Sequence, residues 1–121
     1  MELNDITEKI IGASYDVMNT LGSGFLEKVY ENALKFELEN KGLKVESQKP
    51  LNVYYKNHIV GEYFADLFVE NSVIVELKSS NRLIEIHEAQ LLNYLVASKK
   101  KIGLLINFGK PRIEIKRVMN G

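Results

Sequence analysis

The sequence predicts an α/β domain, a mixed sheet with helices packed against it, in the element order ααβββαββ. Three observations predict it. Apolar residues recur at steps of three and four in the first forty residues, the period of helices that bury one face. From Leu51 the pattern changes to β-branched and aromatic runs divided by short polar turns. A third helical stretch then separates those runs from two more of the same kind.

The first helix rests on Leu3, Ile6, Ile10, Ala13 and Val17, with Asp5 and Glu8 spaced like a capping box at its start. Gly22 and Gly24 end it and free the backbone for a turn. The second helix is expected over about Phe25 to Lys41 and is stopped by Gly42. Strands are expected at Leu51–Tyr55, Ile59–Val69 and Val73–Leu77, divided by the turn pairs Lys56–Asn57 and Asn71–Ser72. A third helix covers about Ile84 to Ser98, and Ile102–Asn107 and Ile113–Val118 are the last two strands.

With 121 residues, 45% hydrophobic and 26% charged, the chain is one domain over residues 1–121 with the composition of an ordinary soluble protein. It has no cysteine, which excludes a disulfide framework and a thiolate metal site. The segment MELNDITEKI lacks a signal pattern and no apolar run reaches the length of a membrane span, so the cytoplasm is the expected location. Sixteen basic and sixteen acidic residues cancel, so net charge gives no argument for nucleic acid. The one basic cluster, Lys99–Lys100–Lys101 followed by Lys110, Arg112, Lys116 and Arg117, is the pattern of a solvated turn.

On a helical wheel, Leu26, Val29, Tyr30, Ala33, Leu34, Phe36 and Leu38 form a continuous apolar arc, and Glu27 falls inside it. Lys28, Glu31, Lys35 and Glu39 fall outside, while Glu37 lies inside near the helix end. Two readings of Glu27 stand side by side: an acid favoured in a first turn by the helix dipole, or a ligand whose charge needs a cation.

The stretch YFADLFVENSVIVELKSS carries a stronger signal. If its turn is centred on Asn71, Asp66 lies opposite Glu76, with Cβ atoms about 5 Å apart, and like charges so placed repel. Both are flanked by apolar residues, so a positive group is needed between them. Lys78 shares a face with Glu76 and is one candidate; a structural acid–lysine pair at a sheet end is the plain reading. A divalent ion such as magnesium, which prefers carboxylate oxygens, is the other. On the third helix His87, Gln90 and Tyr94 line a polar stripe beside a core arc of Leu91, Leu92, Leu95 and Val96. Alone, that stripe reads as surface hydrogen bonding.

Together these residues resemble the PD-(D/E)xK nuclease superfamily, a restriction-endonuclease-like core with an Asp on one strand and (D/E)-x-K on the next. Asp66 and Glu76–Leu77–Lys78 match that pattern, with Ala65 where the motif has Pro. Glu27 fits the place of the helical glutamate that many members carry. Gln90–Leu91–Leu92–Asn93–Tyr94 resembles the Q-x-x-x-Y motif of RecB-like nucleases, and Gly24–Phe25–Leu26–Glu27–Lys28–Val29–Tyr30 resembles the GxxExxY family of the same superfamily.

The resemblance implies metal-dependent hydrolysis of phosphodiester bonds in nucleic acid, with DNA expected. Glu27, Asp66, Glu76 and the carbonyl of Leu77 would hold magnesium or manganese, and Lys78 would orient the attacking water. Gln90, Tyr94, Tyr30 and His87 would touch the substrate or brace the site. A homodimer is one expectation, because a domain this small usually needs a partner to grip a duplex. Two rival readings are a catalytically inactive nucleic-acid-binding or assembly module that kept the fold, and an enzyme acting on another phosphate ester.

Overall fold

The computed structural model describes residues 1–121. Helices α1 (Leu3–Leu21) and α2 (Glu27–Asn40) lead into strands β1 (Val45–Tyr55), β2 (His58–Val69) and β3 (Val73–Lys78). Helix α3 (Glu85–Ser98) then precedes β4 (Ile102–Asn107) and β5 (Glu114–Met119). The five strands form one sheet in chain order. β3 and β4 pair in parallel, as the crossover through α3 requires, and every other neighbour is antiparallel.

Helix α1 buries Ile6, Ile10, Ala13, Val17 and Met18, the three-and-four stripe of the sequence. Its start differs from expectation. The N-cap is Glu2, no side chain caps it, and Asp5 lies in the first turn, where an acid meets the helix dipole rather than a capping box. α1 and α2 cover one face of the sheet, packing on Val69, Val73, Val75, Leu77, Leu104 and Ile106. α3 covers the other through Leu91, Tyr94 and Leu95, against Leu51, Phe68, Ile74 and Leu105. Gly103 admits this approach, since a Cβ there would stand 2.8 Å from a methyl of Leu91.

β1 begins six residues earlier than expected. Pro50 argues against a central strand, but β1 is an edge strand, where a missing N–H is tolerated. The turn Lys56–Asn57 joins β1 to β2 with both residues at positive φ (47° and 69°), the two-residue hairpin geometry that suits twisted strands. The next hairpin closes around Asn71: Val69 pairs with Val73, Phe68 with Ile74 and Leu67 with Val75. There the pairing of β2 with β3 ends, and residues 58–66 of β2 pair with β1 alone.

The wheel drawn for α2 needs correction. Leu26, Val29 and Phe36 are exposed, while Tyr30, Leu34 and Leu38 are fully buried. Glu27, expected on the core-facing arc, is exposed, and Glu31, expected outside it, is only 4% exposed. The buried apolar residues form a narrow i, i+4, i+8 row, with Glu31 buried beside Tyr30. On α3 a similar shift buries Tyr94 and leaves Leu92 and Val96 exposed.

One loop is fixed by close approach. The Asn107 amide lies fully buried between two chain segments: its Oδ1 accepts from Ser80 N–H (3.0 Å) and Gly109 N–H (3.0 Å). Its Nδ2 donates to Ser80 O (3.0 Å) and to Glu114 Oε1 (2.8 Å). A Cβ on Gly109 would fall 2.2 Å from both the N and the O of Ser80. Gly109 thus lets the strand-exit segment after Lys78 lie against β4. Gly109→Ala is expected to cost on the order of 3 kcal/mol, read as a fall in Tm of roughly 10 °C. Gly12→Ala, on an exposed face of α1 with nothing within 4 Å, is expected to gain about 0.5–1 kcal/mol. Equal shifts for the two variants would refute this account of Gly109.

Candidate active site

Where β2 leaves β3, the side chain of Asp66 takes over the pairing. Its Oδ2 accepts the Leu77 N–H at 2.8 Å, and its own N–H faces Glu76 Oε1 at 3.4 Å. The two acids therefore sit across the opening from one another, each held by the other strand's backbone. Glu76 is 7% exposed. Burial disfavours the charged form of such a carboxyl, and a like charge beside it disfavours that form further. Accordingly Glu76 is pushed up to about 9, first by burial, then by the Asp66 charge and the hydrogen bond it gives Asp66; the Asp66 N–H and Lys78 pull weakly the other way. Lys78, half-buried at the end of β3, takes part in none of the molecule's ion pairs.

A second acid reaches the pair from α2. Glu31 binds Lys28 Nζ at 2.6 Å and Gln48 Nε2 at 2.8 Å. The same Gln48 nitrogen lies 3.4 Å from Asp66 Oδ1. Gln48 stands in β1 between Ser47 and Lys49, whose partners Leu67 and Ala65 flank Asp66, and its φ is +52°. A left-handed residue other than glycine inside a strand is uncommon and holds the side chain off the regular pleat. Here it turns the carboxamide toward Glu31 and Asp66. Neither Glu31 nor Gln48 was legible as a site residue. Helical phase misplaced the first, and glutamine gives no sign of positive φ.

Glu27 lies one turn before Glu31 and lines a shallow hollow with Gly24, Phe25, Leu26 and Ser79, beside the residue that follows Lys78. Ser79 Oγ donates to Phe25 O at 2.6 Å and ties that turn to the end of β3. Tyr30 braces the same turn from below. It is fully buried, stacks on Phe108 with ring centroids 4.4 Å apart, donates to Gly22 O at 2.6 Å and accepts the Phe25 N–H at 3.1 Å. Gly22 and Gly24, at φ 75° and 99°, supply the left-handed backbone the turn needs. No three carboxylate or imidazole side chains converge as a ready-made metal cage: Asp66 and Glu76 form a pair, with Glu31 one amide away. That donor set of hard oxygens, one of them kept protonated by burial and then by its charged neighbour, suits a divalent cation.

On α3, Tyr94 faces the acids. Its phenol is raised above the ordinary tyrosine value by burial, then by the charges of Glu76 and Asp66. Gln90 is exposed on the same side of the helix, on the wall of a cavity shared with Tyr94 and Tyr63. His87 does something else: its Nδ1 accepts the Ile84 N–H at 3.2 Å and caps the helix.

A family model described as the PD-(D/E)XK nuclease superfamily matches residues 4–118. Among solved structures, the crystal structure of SSO0001 superposes with a TM-score of 0.57 at 18% sequence identity. The match covers 78% of this chain and 50% of that one, so it speaks for the fold alone, and the chain spans about half the length of that neighbour. No curated protein matches the sequence closely. The mixed sheet between two helical layers, and a family match over nearly the whole chain, place this protein in the PD-(D/E)XK nuclease superfamily.

Proposed function

We propose that this protein is a metal-dependent nuclease that hydrolyses phosphodiester bonds, with DNA as the first substrate to test. The observation that carries the reading is the Asp66–Glu76 pair at the point where two strands part. A fold gains nothing from burying a carboxyl against a like-charged neighbour, and family membership offers a reason for keeping the pair. Magnesium or manganese, once bound, would polarise the phosphate and lower the pKa of an attacking water.

The protein's part is to hold and orient. Asp66, Glu76 and the Leu77 carbonyl offer oxygen ligands on two strands whose backbone is already fixed. Glu31 supports Asp66 through Gln48 and is the helical acid joined to the pair, while Glu27 stands exposed at the mouth. Lys78 supplies a positive group free of ion pairs, able to orient water and offset charge developing on the phosphate. Gln90, Tyr94 and Tyr30 fall into separate roles: the first two face the substrate side, and Tyr30 with His87 braces the backbone. No helix is long and apolar enough to cross a membrane. A cytoplasmic setting and a homodimer complete the reading.

Incubation with single- and double-stranded DNA and RNA in magnesium or manganese is expected to show cleavage. Glu76→Ala and Lys78→Ala should each slow it at least about 100-fold. Cleavage that survives both changes comes from a contaminant, and binding without cleavage by wild type favours the inactive-module reading. Glu31→Gln is expected to lower the rate more than Glu27→Gln, and the reverse order would return the helical ligand to Glu27.

The pH dependence follows from Glu76. Its folded pKa of about 9 lies above the ordinary 4.5, so the native state holds a proton that the unfolded chain releases. Stability contributed by that group is greatest below 4.5 and declines as pH rises toward 9. Glu76→Gln should therefore raise Tm by on the order of 5 °C at pH 8 and change it little at pH 4. Magnesium should raise the wild-type Tm at pH 8, because a cation releases the proton, and should do much less for Glu76→Gln. An identical magnesium response in both proteins would remove Glu76 from the ligand set.

A further inference from the structure

Between α3 and the outer part of the β1–β2 hairpin lies a cavity of about 480 Å³ whose wall carries no charged side chain. One side is aromatic: the rings of Tyr63 and Tyr94 lie 5.5 Å apart at 45°. Val53, Ile86 and Val96 add apolar surface, and Gln90 and Asn93 contribute carboxamides from positions three apart on α3. Tyr63 is 46% exposed, so much of a ring face is open to a ligand.

The chemistry of the wall selects the occupant. A phosphate needs cations or converging N–H groups, and this wall has no cation. A flat, uncharged, aromatic ring gains from stacking on tyrosine. A carboxamide presents a donor and an acceptor side by side, the pattern that pairs with the edge of a nucleobase. Position agrees with chemistry. Tyr94 belongs to this wall and packs in one cluster with Ala65, the neighbour of Asp66, and with Ile74, two residues before Glu76 on the same face of β3.

We propose that the cavity takes one unpaired nucleobase of the substrate strand, stacked against Tyr63 and held at its edge by Gln90 and Asn93, while that strand's phosphate lies at Asp66 and Glu76. A base inside a duplex cannot present its face to Tyr63. The substrate is therefore single-stranded, or frayed beside the bond that is cut. This assignment rests on the nuclease reading and narrows its substrate class.

The test uses a twelve-nucleotide single-stranded DNA, intact and with one abasic position moved along it. Binding is read by fluorescence anisotropy with calcium in place of magnesium, beside a cleavage assay in magnesium. One abasic position is expected to weaken binding about tenfold, the size of one lost stacking contact. Tyr63→Leu should weaken binding of the intact strand by a similar factor and leave the abasic strand at that position unchanged, a coupling that general loss of fold does not produce. A flat abasic scan, with Tyr63→Leu binding like wild type and wild type still cleaving, overturns the base site and leaves the nuclease reading standing. Absence of both binding and cleavage overturns the two together.

Discussion

The hydrogen bond from the Leu77 N–H to Asp66 Oδ2 is the contact on which the rest of the site depends. An antiparallel register continued past Leu67↔Val75 would give Leu77 a main-chain neighbour on β2 at Ala65. A carboxylate takes that place instead. A charge-assisted bond of this kind is about twice as strong as a neutral one, so β3 keeps its donor satisfied although β2 has turned away. Without it, a buried N–H at the centre of the sheet would be left without an acceptor, at a cost of about 1–3 kcal/mol. The same bond fixes where the carboxylate points. Asp66 is thus ordered by its role as a structural acceptor.

The parting of the strands then organises both helical layers. On one side, α2 reaches the gap with Glu31, and Gln48 joins that glutamate to Asp66. On the other, α3 lies across the sheet face, with Leu91, Tyr94 and Leu95 packed in one cluster with Leu51, Phe68, Ile74 and Leu105. The hairpin beyond the gap is a two-stranded ribbon, a form that is marginal without further packing. α3 supplies that packing through Leu51, and the contact leaves the cavity lined by Tyr63 and Tyr94. The opening beside the acids is thus a consequence of the same event that positions them. At the exit of β3, Asn107 and Gly109 hold Ser80, and Ser79 holds Phe25, so Lys78 leaves the sheet along a tethered path.

The sequence made the strands and the sheet-facing side of α1 legible, because strand alternation and the three-and-four stripe report burial directly. It made the hairpin of Asp66 and Glu76 legible because the side-chain period of a strand is fixed at two, so one turn sets every opposed pair. Helix α2 was read less well for a physical reason. A wheel gives angles around an axis but not which angle faces the protein, and the apolar residues that α2 buries fully form a single row. That error put Glu27 on the buried arc and Glu31 outside it, the reverse of their burial. On α3 apolar residues surround the helix, so no wheel separates buried Leu91 from exposed Leu92. Gln48 and the tyrosine-lined cavity were out of reach altogether, since each arises where segments distant in sequence meet.

Glu31 shows why a buried acid on a helix is harder to read than one on a strand. Its charge is balanced by Lys28 on the same helix, so the sequence already contains a complete local account of it as an ion pair. Only the second contact, with Gln48, departs from that account. An exposed i, i+3 pair contributes a few tenths of a kcal/mol, far less than the desolvation of a carboxylate that is 4% exposed. Lys28, with a side chain 62% exposed, cannot by itself offset that burial. Gln48 adds a second donor to Glu31, from a left-handed backbone within β1 opposite Asp66. Two unfavourable local features, a buried acid and a left-handed glutamine, therefore support one another. Their common product is a third carboxylate joined to the acid pair through one carboxamide.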